Sequence, residues 1–498
     1  MEPLSSAERA FERWRRRLGL WLAPGVFLAL WLWPMSGLRP EAHRLAAVMG
    51  AVVVLWVTEA LALPVTALIG ASACVVLRVA PAKDVFAPFA DPLMFLFIGS
   101  FILARGIFLH RLDRRVALAV LSLPWVGQSP ARILFAFGAV TACLSAWMSN
   151  TATTAMMFAI GMAILAFVFR EQKSGQPALD RRYATGLMLM TSFAASIGGL
   201  ATPVGTPPNM IGLGYIRSAL GIEFPFFKWM LLGVPAVAVL YLFLFAYLGF
   251  FCRAGVRELE GSRQLLQWER GRLGDWTTGQ RSTLLAFLFT AVIWTVPGLI
   301  ALTAGESSPL YKSLTTSMPE AVAALAGACL LFVLPGDQGR PAITWFQAKE
   351  IDWGVVILYG GGFALGTLSS QTGLAEAVGR GLTGLLPAGD GWVLLVASTV
   401  LATVVSEVTS NTASANIVVP VVITVAQQMG VDPLEPALGA TMGASLGFML
   451  PVSTPCNAIV YGSGYIPLGR MIRYGWLLDV GGAVVIIVVV KALVPLIR

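Results

Sequence analysis

Charge is what this 498-residue chain has least of: only 12% of its residues are Asp, Glu, Lys or Arg, about half the usual fraction of a soluble domain. No polar stretch is long enough to build a second, soluble domain. Histidine is almost absent, with only His43 and His110, so a histidine-based metal site lacks ligands. Neither a His-Glu-x-x-His pattern nor a Gly-x-Ser-x-Gly elbow occurs. These gaps argue against an intramembrane enzyme, which needs a catalytic constellation. The five cysteines, Cys74, Cys143, Cys252, Cys329 and Cys456, show no Cys-x-x-Cys spacing and fall mostly in apolar runs. That pattern suggests neither a disulfide framework nor a zinc site, and no organic cofactor is expected.

What the chain does have is apolar sequence. It is 57% hydrophobic, with a mean hydropathy of +0.77. Stretches near the bilayer-spanning length of about 20 residues recur from end to end. Examples are Leu18–Trp33, Leu45–Leu63, Phe226–Phe251, Leu284–Leu302 and Trp476–Val494. The class is a multi-span helical membrane protein. Its net charge of +8 is no sign of nucleic-acid binding, because the basic residues lie in loops between spans. Arg9, Arg13, Arg15, Arg16 and Arg17 precede the first span and predict a cytoplasmic N-terminus. That stretch does not resemble a cleavable signal peptide. The clusters Arg105–Arg115 and Arg253–Arg272 are expected on the same side. The 15 tryptophans read as interfacial belts facing membrane lipid. Short loops and the lack of a targeting segment point to the inner (plasma) membrane of a bacterium.

The chain repeats itself. Ser-Asn-Thr-Ala occurs at 149–152 and again at 410–413. Gly99 and Gly360 lie at the same offset of 261 residues, as do Ser145 and Ser406. Thr202-Pro-Val-Gly-Thr-Pro-Pro-Asn209 is echoed by Leu450-Pro-Val-Ser-Thr-Pro-Cys-Asn457, 248 residues on. The expected organisation is a lead-in and first span over 1–43, a first repeat over 44–252, a linker and connecting span over 253–317, and a second repeat over 318–498.

Two elements of each copy look wrong for ordinary spans. Met148–Thr154 and Thr409–Ser414 put small polar residues amid apolar runs, and the Thr-Pro elements put prolines and an Asn in the same setting. Proline removes a backbone donor, and Ser, Thr and Asn compete for backbone hydrogen bonds. Broken backbone is tolerated in hydrocarbon only where protein or water satisfies it. Paired interruptions in two halves point to a transporter's binding site. A half-helix starting at such a break presents free N–H groups and a positive dipole end to an anion. One that ends there leaves carbonyls for a small hard cation. Neither element carries Lys or Arg, so a bound dianion needs compensating charge, which favours cation coupling. Paired mid-membrane breaks also fit alternating access better than a channel.

Among the acids, Glu59, Asp91, Glu320 and Asp352 read as residues of interfaces or span ends. Glu407 stands directly before the second break, where the first copy has Ala146. A salt-bridge or proton-coupling role is open there. Gly99 and Gly360–Gly362 suit either close helix packing or lining of the site.

These residues resemble the divalent-anion/sodium symporters, a family of di- and tricarboxylate carriers. The likeness rests on Trp56-Val-Thr-Glu-Ala-Leu-Ala-Leu-Pro-Val-Thr-Ala67, on Phe89-Ala-Asp-Pro, and above all on the two Ser-Asn-Thr motifs with their Thr-Pro partners. It implies an all-α polytopic membrane protein of about eleven transmembrane helices plus re-entrant hairpins in two inverted repeats. It also implies a homodimer with scaffold and transport domains of elevator type. Sodium would be the coupling ion, and a small dianionic carboxylate the substrate. By the same resemblance Ser149, Asn150, Thr151, Ser410, Asn411 and Thr412 contact substrate carboxylates. Thr206, Pro207, Thr454 and Pro455 close the site from opposite hairpin tips. One sodium is expected at Ser145, Ser149, Asn150 and Gly205, the other at Ser406, Ser410, Asn411 and Ser453. The chain departs from the pattern at Cys456, which replaces the first copy's Pro208, and at Ser414, Asn416 and Ser453; substrate choice is expected to follow these differences. The expected cargo is a C4-dicarboxylate such as succinate, malate or fumarate. Sodium-independent dicarboxylate exchange, and citrate or sulfate transport on the same fold, are the alternatives.

Overall fold

The computed structural model describes residues 6–35, 37–171, 179–383 and 390–497. Arg9 lies in the first helix, but its side chain is outside what is described. Regular structure there is helical apart from one isolated bridge between Pro335 and Pro341. Among the described residues nine helices are long and apolar enough to cross a membrane, or ten if the bent pair Pro309–Ser317 and Glu320–Val333 is one span.

Each copy contributes a hairpin and a broken span. The first hairpin is Pro130–Ser145 followed by Asn150–Glu171, and the second is Gly391–Val408 followed by Asn411–Gln428; within each, the two helices pack together. The broken spans are Arg181–Gly198 with Pro207–Leu220, and Leu434–Gly443 with Pro455–Tyr461. Each hairpin packs on the first half of its own broken span. The second half crosses over, so that Pro207–Leu220 lies on Asn411–Gln428 and Pro455–Tyr461 lies on Asn150–Glu171. Every residue from Tyr183 to Ala201 is buried in this arrangement. The mean hydropathy of Arg181–Ala201, 1.4, is modest because its neighbours are protein rather than lipid. Phe226–Phe251 and Leu468–Ile497 close the bundle against each other.

The remaining long helices form a wall beside this bundle. Pro92–Leu109 packs closely along Glu320–Val333, and Trp353–Thr372 packs on Leu63–Val76. Glycine makes both approaches possible. A Cβ on Gly99 would strike the Ala324 backbone, and one on Gly361 would strike Ala67. Gly360 faces the Phe89 ring and Gly362 the Asn416 side chain. These glycines serve packing; none lines the functional cavity described below.

The other acids have structural partners. Glu59 pairs with Arg15 at 2.7 Å. Asp91 caps Pro92–Leu109 through Leu93 N (2.9 Å) and pairs with Arg217. Glu320 accepts from Phe226 N, and Asp352 caps Trp353–Thr372 through Val355 N (3.3 Å). The two basic clusters meet at one end of the molecule. Arg114 pairs with Glu269 at 2.7 Å, and Arg115 donates to the carbonyls of Leu273, Gly274 and Asp275.

Gly99→Ala should separate the Pro92–Leu109 and Glu320–Val333 helices and destabilise the protein by about 1–3 kcal/mol, the usual range for overpacking. Thermal unfolding in detergent measures it; an unchanged transition would show that the helices have slack there.

Candidate functional site

The polar elements end helices for identifiable reasons. Ser149 Oγ accepts from Ala152 N, and Ser410 Oγ accepts from Ala413 N, both at 3.2 Å. Each serine therefore caps the returning helix of its hairpin. Thr454 Oγ does the same for Asn457 N at 3.2 Å, and Pro207 and Pro455 occupy first-turn positions where a missing N–H has no consequence. The Ser-Asn-Thr elements are thus the hairpin tips, and the Thr-Pro elements are the breaks of the following spans. That exchanges the placement expected from sequence, because a proline opening a helix and a proline interrupting one look alike in a linear pattern.

Behind each tip the same hydrogen bonds recur. Ser145 Oγ donates to Asn150 Oδ1 (2.7 Å), and Ser406 Oγ meets Asn411 Oδ1 (2.8 Å). Asn209 Nδ2 donates to the carbonyls of Gly199 (3.0 Å) and Thr202 (2.8 Å); Asn457 Nδ2 donates to those of Gly447 and Leu450, both at 3.0 Å. The two copies are joined by Ser192 Oγ donating to Asn457 Oδ1 at 2.6 Å. Asn209 and Asn457 are completely buried, and each holds one break in shape.

All ten residues expected at the substrate, Ser149, Asn150, Thr151, Thr206, Pro207, Ser410, Asn411, Thr412, Thr454 and Pro455, line one cavity of about 860 Å³. Four helices begin at its edge: Asn150–Glu171, Pro207–Leu220, Asn411–Gln428 and the shorter Pro455–Tyr461. Their N-termini give it a positive field without a charged side chain. Gly205 and Ser453 also line it, whereas Ser145 and Ser406 lie behind their asparagines.

The oxygens there fit a small hard cation. A Cβ on Gly205 would stand 2.5 Å from the Gly199 carbonyl oxygen and 3.0 Å from that of Ala146. A Cβ on Gly199 would meet Asn150 Oδ1 at 2.5 Å. In the second copy, a Cβ on Gly447 would meet Asn411 Oδ1, Ser406 Oγ and the Ser406 carbonyl at 3.2–3.4 Å. Glycine leaves each of these cradles open. Ser453 replaces Gly205 in the second copy, and its hydroxyl faces the Glu407 carboxylate (2.8 Å) and carbonyl (3.0 Å).

Two expectations change. Asn416 and Ser414 do not face the cavity: Asn416 bonds back to Thr412 O (3.0 Å) and receives Tyr215 Oη (3.3 Å), while Ser414 donates to Ala402 O (2.8 Å). Both fall on the far side of the helix that Ser410 caps. The cavity is also not neutral on every side. Its wall on Pro92–Leu109 presents Phe101, Ala104, Arg105 and Phe108, with Arg105 paired to Glu350 and with Asp352 nearby in the lining. In sequence Arg105 opens the run of basic residues that continues through Arg111, Arg114 and Arg115. Yet 101, 104, 105 and 108 share one helical face, and that spacing was the available signal. Cys456 is a lining residue whose thiol neighbours Thr151, Thr154 and Ser196 of the first copy.

The family model described as the sodium:sulfate symporter transmembrane region matches residues 15–497. A sodium-dependent dicarboxylate transporter of Staphylococcus saprophyticus is 33% identical over 485 residues, covering 96% of this chain and 91% of that one. Its Staphylococcus aureus counterpart is 32% identical over 491 residues, with the same coverage. Two solved structures share the fold at low identity. The YdaH transporter of Alcanivorax borkumensis has a TM-score of 0.54 at 14% identity, covering 84% of this chain and 89% of that one. MtrF of Neisseria gonorrhoeae has a TM-score of 0.55 at 13% identity, covering 85% of each chain.

Gly205→Ala should fill the first cradle and weaken sodium binding by about tenfold or more, equivalent to about 1.4 kcal/mol. Sodium titrations of thermal stability in detergent check this. An unshifted titration would mean that the Gly205 cradle is not a sodium site.

Proposed function

We propose, on the premise that this chain belongs to the sodium:sulfate symporter family, the divalent-anion/sodium symporters, that it carries C4-dicarboxylates across the membrane with sodium. The observation that carries this reading is the meeting of both Ser-Asn-Thr tips and both Thr-Pro breaks at one cavity. The relatives' sodium-dependent dicarboxylate transport supports the ion and the substrate class. Succinate, malate and fumarate are the substrates proposed within it.

In this reading sodium occupies the two cradles first, with Ser145, Ser149, Asn150 and Gly205 around one ion and Ser406, Ser410, Asn411 and Ser453 around the other. The ions fix the asparagine side chains, whose amides then face the cavity. One carboxylate meets Ser149, Asn150 and Thr151, and the other meets Ser410, Asn411 and Thr412. Thr206, Pro207, Thr454 and Pro455 bound the site between the tips. The two cations offset the charge of the dianion, which lowers the barrier to moving it through hydrocarbon.

Each of the two inverted repeats, over 44–252 and 318–498, contributes its hairpin and broken span to the moving body. The wall that includes Pro92–Leu109 and Trp353–Thr372 forms the scaffold of a homodimer in the bacterial inner membrane, with the N-terminus in the cytoplasm. Loading the site releases the moving body to slide along that wall. Exchange without sodium would be favoured by a free basic residue at the site; Arg105 is near, but its charge is answered by Glu350.

Labelled succinate uptake into proteoliposomes tests the reading. Accumulation is expected with an inward sodium gradient and not with potassium in its place. Asn150→Ala and Asn411→Ala should each lower uptake at least a hundredfold while the protein stays folded, since each removes a group shared by substrate and ion. Uptake that ignores sodium but needs internal dicarboxylate would make the protein an exchanger. Normal transport by either variant would remove the site assignment.

A further inference from the structure

The two copies match closely around the cavity but differ behind the second tip. Ala146 precedes the first Ser-Asn-Thr turn, and Glu407 holds the same place 261 residues on. Gly233 of Phe226–Phe251 presses against the carbonyls of Leu200 and Ala201. Gly475 of Leu468–Ile497 presses in the same way against Phe448 and Met449. One helical turn beyond these glycines the first copy has Val237, and the second has Asp479. An alanine and a valine in one copy are therefore two acids in the other.

The acids face each other. Glu407 is 3% exposed and Asp479 5%. Glu407 has donors: Met449 N reaches Oε1 at 2.9 Å and Ser453 Oγ reaches Oε2 at 2.8 Å. Asp479 has none. Its nearest polar neighbours are the Glu407 carboxyl and the Phe448 amide, yet neither of its oxygens receives a hydrogen bond of sound geometry. Among the described residues neither acid forms an ion pair. The first copy carries the apolar Ala146 and Val237 at the corresponding positions, so the fold of a copy does not itself call for acids there. Two facing carboxylates without a positive partner are strongly unfavourable in a protein interior, and more so at membrane depth. The unanswered side chain of Asp479, directed at Glu407, is what a bound positive charge would complete.

We infer that Glu407 and Asp479 form a third site for a monovalent cation, behind the second hairpin tip and adjoining the cradle at Asn411 through Ser453. Carboxylate oxygens suit a small hard cation, and under the proposed function that ion is sodium. Ser453 links the site to the cavity. Its hydroxyl bonds to Glu407, and its neighbour Thr454 lines the substrate space. A cation between the acids would hold this connection in one arrangement and order the second break before substrate arrives. Three monovalent cations with one dianion carry a net positive charge, so transport would produce an inward current.

The test rests on the sodium-coupled reading and is separable from it. In proteoliposomes, the sodium-to-succinate flux ratio of the natural chain is expected to be three, with an inward current. Glu407→Ala with Asp479→Val gives the second copy the first copy's residues, and Glu407→Gln with Asp479→Asn keeps the original shapes. Either folded double variant should lower the ratio by one and abolish the current. It should also bind one sodium fewer per protomer in detergent, a readout that needs no transport. A natural ratio of two, or an unchanged ratio in a folded variant, would overturn the site. So would one proton moved per succinate by the natural chain and none by the variant, which would make the pair a proton carrier. Absence of any sodium coupling in the natural chain would instead defeat the proposed function itself.

Discussion

Ser145 and Ser406 each contact the asparagine five residues ahead, and on that contact depends a helix stopping and reversing inside the membrane. A chain that turns in hydrocarbon must answer every backbone group it frees. Here the caps are Ser149 and Ser410, and the carbonyls of the facing breaks are answered by Asn209 and Asn457. Once these groups are satisfied locally, the remaining oxygens and helix N-termini are free to address a ligand. The same residues thus make the turn possible and make it useful.

The exchange of half-spans between the copies turns two such turns into one site. Pro207–Leu220 and Pro455–Tyr461 each leave their own hairpin and pack on the other, so the Thr-Pro breaks lie between the tips. The contact from Ser192 to Asn457 and the edge-on packing of Phe193 on Phe448 fix the copies to each other. Against this bundle the wall is different in kind. It presents aromatic rings and one ion pair, Arg105 with Glu350, rather than aligned backbone. The cavity therefore has helix ends on one side and side chains of the wall on the other.

Much of this was legible in sequence because the chemistry leaves few choices. Ser-Asn-Thr in an apolar run demands a special backbone, and a second copy at a matching offset says the demand is functional. All ten residues expected at the substrate line the cavity for that reason. Other features were hidden by distance. Asp479 is a lone acid in a long apolar helix, and its partner lies 72 residues earlier; only the fold brings them together. Arg105 was obscured by the basic residues that follow it. Asn416 looked like a site residue because it is close to Ser-Asn-Thr in sequence, but helical periodicity turns it away from the cavity and toward Tyr215.

In the proposed function one dianion bridges the two tips while sodium lies behind each asparagine. Electron cryomicroscopy of the protein with sodium and succinate tests this most directly. Density is expected to span Ser149–Thr151 and Ser410–Thr412, with ion peaks beside Asn150 and Asn411 that vanish in potassium. Succinate density elsewhere, or tips that are unchanged and empty at saturating substrate, would contradict it.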